Sequence, residues 1–528
     1  MQIIGIYGRI NTENERGKPM KRIICVIIAC LMLLSLCACN STDAPETTAT
    51  EPVLRDPNMP KKLYASDLAA IPIATDDMTK EELRQLCLDF FELQLTFQWK
   101  TDMELEFFQT NNDKGKVKKL TTDRIYGGPF YQSVGFGNLY RWLEYYDEET
   151  GVMPMSVALA EHGGYGEGAE VCDVELSEDG RVIYQKYRSL MVFGNQCTSS
   201  SAWAWGRVIN SARFYLTNGI NVYNGYIPVG CYTYGYEHEG KTYGPLDIKL
   251  FGEEGEDNPL GYDTPDVIKD WNAANGEDAM YKCYAQMKPG DCVVNKGHAM
   301  MVKSVNLFIS NDGSINYALS TAVVDEQIEG WGLKDKIGDT AWWQQGRVDK
   351  SVTFEGLQKS GYIPFTFYEF LDENDEQDKK HLDYYLAYAD QLTGVKNCYQ
   401  VIDYPADKCG AAIEKAETYC TYTGETITAQ DFAAMTVASN YTISDVFVTV
   451  TDASGNQLLK NIFRAGNIWT REVSMTAGKH TWEKDADGNR IPISDGLEAL
   501  ANGENVVEVT MQLSTGEVLT AYKGTLAK

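Results

Sequence analysis

Histidine is scarce in this chain, five in 528 residues, and none is spaced with another in the way a zinc site requires. No Cys-x-x-Cys pair occurs among the nine cysteines beyond residue 39, so neither a metal nor any other cofactor is expected. Positive charge is also short: 47 Lys and Arg stand against 75 Asp and Glu, for a net charge of -28. Such a surface repels phosphate backbones, no basic cluster overrides it after the leader, and nucleic acid is excluded as a partner. With 44% hydrophobic and 23% charged residues, the remainder is ordinary globular protein. The chain is too long for one core, so two or three domains are expected.

Only one long apolar run is present. Lys21 and Arg22 precede "IICVIIACLMLLSLCAC", about 16 apolar residues, shorter than the ~20 that span a bilayer. A positive start, a short apolar stretch and small residues at its end form an export signal. Its last four residues, "LCAC", resemble a bacterial lipobox, which implies cleavage before Cys39 and lipidation of that residue. Met20 then reads as the start, with residues 1–19 an upstream extension. The expected location is the extracellular face of a bacterial cytoplasmic membrane, held by a lipid; an uncleaved anchor is the alternative. Asn40 to Pro60, rich in Thr, Pro, Ala and Asp, has too few large apolar residues to pack, and 40–62 is expected to be a flexible tether.

Four cysteines lie in the leader. The others are Cys87, Cys172, Cys197, Cys231, Cys283, Cys292, Cys398, Cys409 and Cys420. Apart from Cys197 they are expected to be mostly buried apolar residues, although export also permits disulfides.

Helical periodicity comes first. Thr79 stands three residues before Glu82, a capping-box pattern ahead of an amphipathic stretch, and further helices are expected near Asn138, Cys197 and Thr264–Pro265. Strand patterns follow in "DCVVN", "HAMMVKSVNLFI" and "INYALSTAVVDEQ", the last two flanking the hairpin signal "SNDGS". A short helix and a closing strand are expected in "TFEGLQKSGYIPFTFYEF". The acidic run "DENDEQDKKH" reads as a boundary, and 373–411 as a connecting segment. Alternating stretches such as "DVFVTVTDASGNQLL" then indicate a β-sandwich, immunoglobulin-like, over 412–528.

Cys197 opens a helix in "GNQCTSSSAWAWGRV". A helix N-terminus favours thiolate over thiol, and its unpaired N–H groups can receive an oxyanion. His298, heading a strand behind the turn "KPGDCVVNKGH", is the best base among the five histidines. An arbitrary cysteine is more commonly buried and inert, and a lone histidine more commonly a surface or hydrogen-bonded structural residue. The triple serine lacks a Gly-x-Ser-x-Gly elbow and is expected to fill the first helical turn.

These stretches resemble the papain-like bacterial cell-wall hydrolases, the NlpC-type peptidases and the CHAP amidohydrolases. Gln196-Cys197-Thr198 matches the CHAP nucleophile run; Pro289, Gly290, Asp291, Gly297 and His298 match its turn and Gly-His strand; Glu326-Gln327 matches its third polar position. "GGPFYQSVGFG" offers Tyr131 for the active-site tyrosine of the NlpC type, with one extra residue in the motif. Gln196 replaces the NlpC-type Asp, and 101 residues separate Cys197 from His298, so an insertion is expected between them. The resemblance implies an α+β, papain-like hydrolase domain over 63–372, with Cys197 attacking an amide of peptidoglycan or its stem peptides and His298 moving the proton. Gln196 and backbone N–H groups would hold the oxyanion. The third residue is Glu326 or Asp325; counting back from the "NDG" turn favours Glu326. Two rival functions are a non-catalytic wall-binding lipoprotein and a cysteine acyltransferase resembling transglutaminases.

Overall fold

The computed structural model describes residues 61–528, less 109–116, 132–137, 163–170, 181, 188–193, 210–225, 231–235, 239–240, 244–263, 329–332, 338–339, 383–412, 465–469, 476–479 and 485–489. The expectations for Cys39, the leader and most of the tether therefore lie outside the described residues. No helix among those described is long and apolar enough to cross a membrane.

Helix α1 (Lys80–Thr96) begins where its capping residues require. Thr79 Oγ1 accepts the Glu82 N–H at 3.2 Å, and the Thr79 N–H donates to Glu82 Oε2 at 2.8 Å. Leu83, Leu86, Cys87, Phe90, Phe91 and Leu95 form its buried face. Helix α2 (Leu139–Leu143) is capped by Asn138, whose Oδ1 accepts the Arg141 N–H. Helix α3 (Cys197–Trp205) is buried at every residue. Its three serines are each satisfied. Ser199 Oγ donates to Asn195 Oδ1, Ser200 Oγ to Gln327 Oε1 at 3.1 Å, and Ser201 Oγ to the Cys197 carbonyl at 2.9 Å.

Helices α1 and α3 pack on each other and on a six-stranded sheet. Its strands are β1 (Tyr226–Pro228), β2 (Cys292–Asn295), β3 (His298–Ile309), β4 (Ile315–Gln327), β5 (Gly346–Thr353) and β6 (Ile363–Phe367), in the spatial order β1-β6-β2-β3-β4-β5. Every pairing in this sheet is antiparallel. Val293, Val294, Met300, Met301, Val302, Val324 and Phe365 carry its buried side chains into one core.

A second core begins at Ala416 and gathers Val437, Val446, Val448, Val450, Val507, Val509 and Met511. It is built by strands of a three-stranded and a five-stranded sheet, the alternation in "VFVTVT" supplying one buried residue in two. Residues 56–528 nonetheless make one compact unit, and helices and antiparallel sheets together give an α+β chain. The two cores meet through a buried polar seam. Arg141 Nε lies 3.0 Å from both Asp445 oxygens, Tyr140 donates to the Ser514 carbonyl at 2.9 Å, and Ser514 Oγ donates to the Gly206 carbonyl, at the end of α3, at 2.8 Å.

Of the expected connecting segment 373–411 only 373–382 is described, and this acidic start packs against the first core. Lys288 Nζ reaches Asp378 at 2.8 Å, Asp378 is itself buried and accepts the Asp372 N–H, and His381 Nε2 accepts the Gly230 N–H at 2.9 Å. The chain is helical over 376–382 and lies on the first core. Pairing the carboxylates with a lysine and backbone N–H groups offsets their hydrophilicity, which composition alone does not reveal.

Candidate active site

The turn before β2 is the anchor of the site. Gly290 has φ +84°, a conformation open chiefly to glycine, and its carbonyl accepts the Trp205 Nε1–H of α3 at 2.9 Å. Asp291 accepts Arg84 of α1 at 2.7 Å and the Lys288 N–H at 2.7 Å, with the Arg84 and Asp291 side chains both buried. One turn thus locks both helices to the strand pair that ends at His298. Asn295 Oδ1 accepts the His298 N–H at 2.8 Å and completes the β2–β3 connection.

Gln196 is the N-cap of α3 and Cys197 its first residue. The Cys197 N–H therefore has no acceptor inside the helix. The Gln196 N–H donates to Ser199 Oγ at 2.9 Å, and the Gln196 side chain is half-buried beside the thiol's helix end. Strand Gly194–Asn195 runs parallel to Phe130–Tyr131, with Asn195 opposite Tyr131. This pairing carries Tyr131 to the site, where its hydroxyl donates to Cys197 Sγ at 3.7 Å. Gln345 holds the Tyr131 N–H, and Gln327 Nε2 donates to the Pro129 carbonyl at 2.6 Å. Both glutamines, and Ser200 as a partner of Gln327, are positioning groups; the sequence motif contains Gln327 only as the residue after Glu326, and Gln345 not at all.

His298 Nε2 lies 2.7 Å from Glu326 Oε2, which leaves Nδ1 as the ring nitrogen for Cys197. Burial pushes the Cys197 thiol up, but the hydrogen bond and charge of His298, the Ala299 N–H and the Tyr131 hydroxyl outweigh it, so the thiol lies below its ordinary value. Burial pulls His298 down, yet its bonds to Cys197 and Glu326 win and raise it. Shifts in these directions favour thiolate and imidazolium together. Burial raises Glu326, and His298 and Lys350 more than reverse that, keeping it ionised.

Asp325 points elsewhere. Its Oδ1 accepts the Asp349 N–H at 2.8 Å, and burial raises its pKa to about 6 despite the charge of Lys303. Cys197, His298, Glu326 and Tyr131 are thus brought together, with Gln196 adjoining, and Asp325 is kept out. Cys87, Cys283, Cys292 and Cys420 form no disulfide, and burial raises Cys87, Cys292 and Cys420. His381 is buried and lowered to about 4 by burial, a neutral structural histidine.

Lys350 and Arg347 were not legible as site residues. Lys350 Nζ lies 2.9 Å from Glu326 Oε1 and 3.0 Å from Oε2, and Arg347 Nη1 lies 3.5 Å from Oε1. Tyr362, just before β6, feels the charges of Glu326 and Cys197 and is pushed up, chiefly by burial. The chain matches no protein-family model, no curated protein and no solved structure. The resemblance to cell-wall hydrolases therefore rests on the motif residues alone.

Proposed function

We propose that the chain is a papain-like cysteine hydrolase, exported and lipid-anchored through Cys39, that cleaves amide bonds in peptidoglycan or its stem peptides. The observation that carries this reading is the His298 Nε2 to Glu326 Oε2 contact at 2.7 Å, behind a thiol at a helix N-terminus. Cys197 thiolate attacks the amide carbonyl, and the negative charge passes to the carbonyl oxygen. The Cys197 N–H, with the Gln196 side chain, is placed to receive it. Imidazolium His298 gives its proton to the leaving amine as the C–N bond breaks, leaving a thioester. His298 then takes a proton from water, which attacks the thioester and releases the carboxylate and the thiol. Glu326 steadies the imidazolium and is not itself protonated. The antiparallel sheet with α3 against β3 and β4 supports the papain-like assignment, and the paired sheets of the second core support a sandwich.

Incubating the mature chain with purified peptidoglycan tests the substrate. New amine and carboxylate ends, found by mass spectrometry, are expected; an unchanged polymer alongside a reactive Cys197 would remove peptidoglycan as the substrate. Cys197 is only 3% exposed, and this favours one second reading, a non-catalytic wall-binding shell. On that reading Cys197 reacts with a thiol probe no faster in the folded chain than in the denatured one.

A further inference from the structure

Glu326 has more cationic company than an acceptor for one imidazole needs. Its side chain is 2% exposed, yet it meets His298, both oxygens meet Lys350, and Arg347 stands at 3.5 Å. Lys350 and Arg347 are three residues apart on β5, and in a regular strand they would point to opposite faces. A bulge prevents this. Val324 pairs with Lys350 but Glu326 pairs with Arg347, so Val348 and Asp349 together face Asp325. Asp349 takes φ 55° to make the bulge, and Asp325 accepts its N–H. The extra residue brings both cations to the Glu326 side.

We infer that Lys350 is a positioning residue that holds the Glu326 carboxylate against His298 and, through its charge, sets the pH window in which the Cys197–His298 pair is armed. This rests on the Cys–His reading above. The other titratable groups facing the triad are Tyr131 beside the thiol, Tyr362 before β6, and Arg347 on β5. Asp325, Asp349 and Glu92 surround a different lysine, Lys303, whose Nζ lies 2.8 Å from Asp349 and 3.0 Å from Glu92. Their charges are thereby offset, and Lys350 remains the closest cation to Glu326 after the imidazole itself.

The sign follows from electrostatics. A positive charge beside the triad stabilises the thiolate and the carboxylate and opposes the imidazolium. Removing it makes Cys197 and Glu326 hold their protons to higher pH, and His298 likewise. The whole window should move up, by about one pH unit for a unit charge at this range. A lysine with a merely structural role would change the rate without moving the window.

The test is the rate at which iodoacetamide alkylates Cys197, read by mass spectrometry of the peptide that contains it, across the acid to alkaline range. Wild type should show two inflections, one where the ion pair forms and one where His298 loses its proton. Lys350→Met should shift both upward by about one unit, and Lys350→Arg should leave both in place. If wild type shows two inflections and Lys350→Met superimposes on it, the inference about Lys350 fails and the Cys–His reading stands. If wild type shows one inflection at an ordinary thiol value, the Cys–His reading itself fails and takes the inference with it. Lys350→Gln serves as the second neutral variant. Loss of fold in both neutral variants, with Lys350→Arg folded, would show a structural lysine and overturn the proposal.

Discussion

His298 and Glu326 meet at 2.7 Å although they are not partners in the β3–β4 ladder. Near the hairpin tip the register pairs Ile309 with Ile315, a count that would set His298 opposite Glu326. Two irregularities intervene. Three extra residues on β4 beyond Asn316 and one on β3 at Lys303 move the register by two, so that Met301 pairs with Asp325. Side chains alternate with period two, and an even shift leaves Glu326 on the His298 face, now on a diagonal. An odd shift would have presented Asp325 instead.

Glu326→Gln should accordingly lower turnover by about 10²- to 10⁴-fold, as expected when a group that orients a catalytic imidazole loses its charge. Asp325→Asn should cost far less, because Asp325 serves the β5 bulge. Turnover of both variants on one peptide substrate checks this, and a larger loss in Asp325→Asn would reverse the assignment.

Much of this site was legible because its signals are local. A helix start at Cys197, a Gly-His strand head and an "NDG" turn each occupy a few consecutive residues. The same holds for the Thr79–Glu82 capping box and for the alternation of "VFVTVT". Lys350 and Arg347 were hidden because their approach to Glu326 depends on a bulge, and a bulge at Asp349 has no glycine to mark it. Gln345 and Gln327 act through the loop around Pro129 and Tyr131, a pairing of segments far apart in sequence. Composition likewise hides the contacts of the acidic start at 372–378, whose carboxylates find Lys288 and backbone partners.

Stability should fall on acidification through His381. It is neutral in the fold, with a pKa lowered to about 4 by burial, while the unfolded chain takes up the proton near the ordinary 6.5. The stabilisation is therefore present above the ordinary value and is lost as pH falls toward 4, by up to about 3 kcal/mol. Denaturant unfolding at a series of pH values should show this loss in wild type, and His381→Gln should flatten that part of the curve.

The seam between the cores should be intolerant of half a pair. Asp445→Ala leaves the Arg141 guanidinium buried without its carboxylate, which costs about 3–5 kcal/mol. Thermal unfolding should show a large fall for Asp445→Ala and partial recovery in the Arg141→Met, Asp445→Leu double variant. Equal melting of Asp445→Ala and wild type would contradict the seam.

Cys39→Ala should release the chain from the membrane fraction while leaving export intact, because the tether from Asn40 has no apolar surface of its own. Fractionation followed by immunodetection reads the outcome; persistent membrane retention of the exported variant would indicate an uncleaved anchor.

The central claim is that Cys197 is the nucleophile. Its most direct test is the turnover of a stem-peptide amide by Cys197→Ala beside wild type and Cys283→Ala, each shown to be folded by circular dichroism. The account predicts that Cys197→Ala falls to the rate of buffer while Cys283→Ala keeps most of its activity. Hydrolysis by folded Cys197→Ala at the wild-type rate would contradict it.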